Sequence, residues 1–188
     1  RCDGRIPCPT VDLYLIHCPR DRTNRVDQWR ALEEAQRAGK LRSIGVSDYE
    51  VAQLQEIEDA GLSCPSVLQI EISPWLMALR KRELEWCKAR SMYIEAWGLM
   101  GTNKKDDDPT VKAIAAKYQG RTVPDVLLKF AVMQGFIALT TSRNPAHQQT
   151  NLEVVSDASW QLDAEDLAKL AELSTKPFHT ISGMNLSG

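Results

Sequence analysis

Short apolar runs return along this chain at near-constant intervals, and longer amphipathic stretches fill the gaps between them. The runs are Val11–His17, Leu41–Ser47, Val67–Ile72, Tyr93–Gly98 and Phe136–Ser142. Each is a few residues long and largely apolar, which is the pattern of a strand buried on both faces of a parallel sheet. The first four begin near residues 11, 41, 67 and 93, about one strand-plus-helix unit apart. Parallel strands cannot be joined by a tight turn; they need a crossover, usually a right-handed helical one. The rhythm therefore predicts an α/β fold of five parallel strands with helices between them.

The gaps carry the helical half of the pattern. Trp29 and Leu32 open an amphipathic stretch that stops at Gly39, and Val51, Leu54 and Ile57 continue at helical spacing to Gly61. Leu84 and Cys87 mark a third helix. The longer gap before residue 136 holds two patterns, Thr110–Tyr118 and Pro124–Gln134, the second with proline at a first turn. A last helix is expected over Ala164–Leu173, with Asp163 as its cap. There is no low-complexity linker, so residues 1–188 read as a single domain.

Charge excludes some functions. The 23 basic and 25 acidic residues leave a net charge of −2, which gives no footprint for nucleic acid. Lys104-Lys105 is cancelled by Asp106-Asp107-Asp108 and reads as a solvated loop. No apolar run approaches the roughly 20 residues that span a bilayer, and no secretory signal is visible. Cys2, Cys8, Cys18, Cys64 and Cys87 are scattered without metal-ligand spacing. An odd cysteine count without a disulfide framework points to reduced thiols in a soluble protein of the cytoplasm or an organelle matrix.

Five units do not close a (β/α) barrel, which needs eight strands and typically about 250 residues. An open doubly wound sheet needs fewer, but it usually carries a glycine-rich phosphate turn after its first strand. His17-Cys18-Pro19-Arg20 is nothing like one. The chain also begins Arg-Cys-Asp-Gly without an initiator methionine, and is expected to lack its start.

An ordered series of motifs then narrows the reading. Val-Asp-Leu-Tyr-Leu-Ile-His-Cys-Pro at 11–19 resembles the fourth barrel strand of the aldo-keto reductase family, which ends in an active-site histidine. Gly39–Asp48 resembles that family's Gly-Lys-x-Arg-x-Ile-Gly-Val-Ser-Asn segment, and Leu68–Pro74 its Gln-x-Glu strand end. Glu95–Gly101 resembles its Ala-Tyr-Ser-Pro-Leu-Gly turn, and Thr140–Asn151 its Pro-Lys-Ser segment with a downstream Arg and Asn. The resemblance implies an incomplete TIM barrel, strands four to eight of eight, whose amino-terminal portion is absent.

It also implies a site at the carboxyl ends of the strands, where parallel barrels place theirs. His17 is the implied catalytic residue, an imidazole able to hydrogen-bond a substrate carbonyl oxygen. Ser47, Asp48 and Gln69 correspond to the trio that holds the nicotinamide carboxamide; Ser47-Asp48 equally suits a cap for a helix over Tyr49–Ala60. Trp97 stands where a tyrosine stacks on nicotinamide, or is a core tryptophan. Gly98 and Met100 belong to the same cofactor turn, and Ser142 and Asn151 to the phosphate and adenine contacts. The implied cofactor is NADP or NAD. Thr141 and His147 replace the lysine and arginine that grip the 2′-phosphate, and Arg143 is a candidate substitute. That loss of charge-assisted bonds makes NAD, or no cofactor, an alternative to NADP. No metal is implied.

In the family the general acid is a tyrosine, assisted by a lysine and an aspartate, all upstream of the histidine strand and outside this sequence. Tyr14 is no substitute, because three positions along a strand put it and His17 on opposite faces. Two functions stay open. One is the carboxyl-terminal portion of an NAD(P)H-dependent reductase of aldehydes or ketones, with a small carbonyl substrate. The other is a non-catalytic structural subunit whose open sheet edges are covered by other protein chains. A nucleotide-binding redox sensor stands between them.

Overall fold

A computed structural model describes residues 10–101 and 107–175. Cys2, Cys8, Lys104, Lys105, Asp106 and the Gly/Ser-containing tail lie outside the described residues. The strands are β1 (Val11–Ile16), β2 (Leu41–Ser47), β3 (Val67–Glu71), β4 (Tyr93–Trp97) and β5 (Ile137–Ala138), and they form one parallel sheet in chain order. The helices are α1 (Arg25–Arg37), α2 (Val51–Asp59), α3 (Lys81–Ala89), α4 (Pro109–Lys117), α5 (Val123–Met133), α6 (Pro145–Ser156) and α7 (Ala164–Glu172). No described helix is long and apolar enough to cross a membrane. The chain divides into two compact units. The first reaches to Gln69 and includes Trp86–Tyr93; the second comprises Ile70–Glu85 and the residues from Ile94 on.

In the first unit β1 pairs in register with β2, and Leu15 lies opposite Gly45. A Cβ at residue 45 would meet Leu15 Cδ2 and the Val67 carbonyl oxygen, each at 2.6 Å, so only glycine fits between these strands. Ile44, Val46, Leu54, Ile57 and Leu68 are buried, and Trp29 joins them with its indole N–H donating to the Ser63 carbonyl at 2.9 Å. Arg25 at the start of α1 pairs with Glu56 of α2, its Nε donating at 2.8 Å. The late segment of this unit is tied in by the Tyr93 N–H, which donates to the Ser66 carbonyl at 2.9 Å. Arg90 pairs with Glu58 at 2.8 Å and lies 3.5 Å above the Trp86 ring.

The second unit gathers its core from α4, α5 and α7. Val111, Ile114, Val126, Leu127, Phe130 and Leu170 are buried together with Trp75 and Leu162. Local signals set each helix start. Asp108 accepts the N–H groups of Thr110 and Val111 before Pro109 opens α4. Thr122 and Asp125 form a reciprocal capping box, the Thr122 N–H reaching Asp125 Oδ2 at 2.8 Å. Asp163 caps α7 by accepting the Asp166 N–H at 2.8 Å, as the sequence predicts.

Asp166 itself is fully buried. It accepts from Lys117 Nζ at 2.7 and 2.8 Å and from the Tyr118 hydroxyl at 2.8 Å. The same hydroxyl oxygen accepts the Asp163 N–H at 2.9 Å. One carboxylate thus joins the end of α4 to the first turn of α7. The hydrogen bonds from Lys117 to Asp166 raise the pKa of its ammonium above the ordinary lysine value.

Two features depart from the sequence reading. The last strand is Ile137–Ala138 rather than the whole run Phe136–Ser142, because an apolar run alone does not mark where ladder pairing stops. Helix α6 was not expected: its polar stretch His147–Asn151 hides the helical period, although Asn144-Pro145 is an N-cap followed by a first-turn proline.

Candidate functional site

A cavity of about 900 Å³ lies within the second unit. It forms where β4 and β5 end. After Trp97 the chain turns through Gly98–Gly101, closed by the Gly101 N–H donating to the Gly98 carbonyl at 2.9 Å. Both glycines sit at positive φ, 69° and 70°, which side-chain-bearing residues rarely adopt. Beside this turn the Leu139 N–H donates to the Ala96 carbonyl at 2.9 Å, and Thr140, Thr141 and Ser142 lead into α6. The start of α5 supplies Thr122, Pro124 and Asp125, and α6 supplies His147, Thr150 and Asn151.

Five residues expected from the sequence line this one cavity: Trp97, Gly98, Met100, Ser142 and Asn151. Trp97 is half-buried, so it is not a sealed core residue. Thr141 and His147 are in the wall too, whereas Arg143 is exposed and outside it. The sequence reading missed Thr122, Pro124, Thr140 and Thr150. Thr122 and Pro124 were within reach, since they open a helix that was itself expected.

The wall is largely apolar, with neutral polar groups set into it. Among the described residues its only carboxylate, Asp125, is buried and engaged by Thr122. Among the described residues no lysine or arginine lines it, and His147 is the single basic side chain. The loop entering α6 spends its polar groups on itself. Ser142 Oγ accepts the Asn144 N–H at 3.1 Å, and Asn144 Oδ1 accepts the Ala146 N–H at 2.9 Å. Gln148 Nε2 donates to the Ser142 carbonyl at 2.7 Å, and Asn151 Nδ2 to Thr140 Oγ1 at 3.2 Å.

The other expected residues belong to the first unit. Ser47 and Gln69 are directly opposite across the β2–β3 ladder, and Ser47 Oγ donates to Gln69 Oε1 at 3.4 Å. The Asp48 N–H donates to the Gln69 carbonyl at 2.8 Å, which brings all three residues together. Asp48 holds a left-handed φ of 55°, a conformation that aspartate tolerates better than most residues. Neither Ser47 nor Asp48 caps α2. Glu50 does, its N–H donating to Gln53 Oε1 at 2.7 Å, because the helix starts two positions later than expected, at Val51. His17 is exposed and directly follows β1, one residue past the end of the strand.

Such a cavity suits a ligand with a flat ring and several hydrogen-bonding groups. Its volume is within the roughly 300–1,000 Å³ usual for small-molecule and cofactor sites. The Trp97 face offers stacking, the Gly98–Gly101 backbone allows close approach, and threonine and asparagine side chains offer donors and acceptors.

Comparison with known proteins identifies the family. The profile of the Aldo/keto reductase family matches residues 5–175. An aldo-keto reductase of Mycolicibacterium smegmatis is 34% identical over 167 residues, 88% of this chain and 57% of that protein. The NADPH-dependent codeinone reductase 1-1 of Papaver somniferum is 32% identical, with 87% of this chain and 56% of that protein covered. The crystal structure of a Gox0644 mutant in complex with NADPH superposes with a TM-score of 0.78 at 33% identity, covering 88% of this chain and 59% of that one. The chain spans under three fifths of the length of these curated relatives.

Proposed function

The chain belongs to the aldo/keto reductase family, and on that premise we propose that it carries the later strand–helix units of such a barrel, strands four to eight, and binds a nicotinamide dinucleotide for the reduction of aldehydes or ketones. One observation carries the reading: Trp97, Gly98, Met100, Ser142 and Asn151, assigned to the cofactor from sequence, converge on one cavity. Once bound, the dinucleotide supplies the hydride. Trp97 stacks against a ring, the Gly98–Gly101 turn approaches the diphosphate, and Asn151 meets the adenine. Within the first unit, Ser47, Asp48 and Gln69 correspond by the family resemblance to the carboxamide contacts, and the exposed His17 to the histidine whose imidazole hydrogen-bonds the carbonyl oxygen.

By the family resemblance the proton comes from a tyrosine that these residues do not include. General acid catalysis commonly contributes about 10²–10⁴-fold, so the segment by itself binds cofactor while reducing carbonyls slowly. The test is calorimetric titration of the full chain with reduced dinucleotide. Saturable binding is expected, weakened about tenfold in Trp97→Ala, in line with the loss of one aromatic contact. Absence of binding would overturn the reading. A second reading, a non-catalytic subunit covered by other chains, is favoured by exposed apolar side chains on the two end strands: Val11 and Tyr14 on β1, 40% and 50% exposed, and Ile137 on β5, 44% exposed.

A further inference from the structure

We propose that the cavity is selective for the dinucleotide without the extra phosphate, NAD(H), over NADP(H). The inference rests on the dinucleotide reading above and concerns the charge of the wall. A phosphate monoester carries nearly two negative charges at neutral pH, and its binding ordinarily draws on charge-assisted hydrogen bonds from lysine or arginine. Among the described residues this wall offers neither, and its one acidic side chain, Asp125, has the wrong sign.

A helix start can bind an anion without cations if its N–H groups are available. At α6 three of the nearest ones are committed. Pro145 has no N–H, and the N–H groups of Asn144, Ala146 and Gln148 go to Ser142 Oγ, Asn144 Oδ1 and the Asn144 carbonyl. Seating a dianion on those three means breaking these bonds, with no lysine or arginine among the described residues of the wall to neutralise it. A ribose hydroxyl asks for much less: a single neutral partner, and Thr141, Thr150 and Asn151 are all in the wall. The wall therefore accepts the adenosine end of NAD(H) and disfavours its phosphorylated form.

Competing titrations of the full chain with NADH and NADPH test this at one fixed, low ionic strength. NADH is expected to bind tighter by about tenfold or more, the order of one charge-assisted contact. Thr141→Lys combined with His147→Arg should move the NADPH-to-NADH affinity ratio about tenfold toward NADPH. Should that double variant fail to fold, 5′-ADP against 2′,5′-ADP on the unsubstituted chain isolates the same discrimination, with 5′-ADP expected to win. Equal or tighter binding of NADPH would overturn the selectivity and leave the dinucleotide reading standing. No binding of either nucleotide would overturn both.

Discussion

The amide of Asn151 donates to Thr140 Oγ1 at 3.2 Å, so the second turn of α6 is fastened to the chain just beyond β5, with both residues in the cavity wall. Thr140→Val removes the acceptor while keeping the side-chain shape. Thr140 is exposed, so stability should fall by no more than about 1 kcal/mol. Dinucleotide affinity should fall by about fivefold, because Asn151 loses the contact that sets its position. Calorimetry and urea denaturation on one preparation separate the two effects.

Gly45 offers a sharper test of the sheet. Alanine there places a methyl 2.6 Å from both Leu15 Cδ2 and the Val67 carbonyl oxygen. The leucine can rotate, but the carbonyl is part of the β2–β3 ladder. Gly45→Ala should destabilise the protein by about 3 kcal/mol, the upper part of the usual overpacking range, read as a lowered urea midpoint.

Tyr118→Phe removes both the donor to Asp166 and the acceptor for the Asp163 N–H. The loss should be about 1–3 kcal/mol, because the buried carboxylate keeps Lys117 but loses one of its partners. If stability is unchanged, the link between α4 and α7 does not rest on this hydroxyl.

The same group of residues makes stability depend on pH at both ends. The Lys117 ammonium is raised by its hydrogen bonds to Asp166, so its contribution is complete below the ordinary lysine value and is lost as pH rises through the raised one. The Asp163 carboxyl is lowered, first by the Asp166 N–H and then by Lys117. Its contribution is present above the ordinary carboxylate value and is lost as pH falls through the lowered one. Lys117→Met should flatten the alkaline limb of a stability–pH curve and Asp163→Asn the acid limb, measured by urea denaturation across pH.

Which features were legible in the sequence depended on whether the signal was local. β2, β3 and β4 could be read because buried parallel strands are largely apolar runs, and α7 because Asp163 precedes a regular apolar period. α6 could not be read from its period: the residues that make it part of the cavity wall, His147, Thr150 and Asn151, interrupt any apolar stripe. Whether Ser47 or Asp48 caps α2 was open until the position of the helix start was known. That start depends on Glu50 and Gln53 bonding across one turn, which composition does not reveal. The cavity residues from α5 were hidden for another reason: Thr122 and Asp125 serve as a cap and reach the cavity only because of where that helix begins.

The route of the chain through its two units bears on how the protein is made. Residues as late as Tyr93 complete the first unit, while Ile70–Glu85 already belong to the second. A nascent chain stopped at Gln69 therefore lacks the Tyr93 N–H that fills the Ser66 carbonyl and the Arg90 that pairs with Glu58. During translation the first unit has to wait for part of the second to emerge. No single cleavage or truncation yields either unit as an uninterrupted piece, so any attempt to express one alone requires rejoining its segments in a new order.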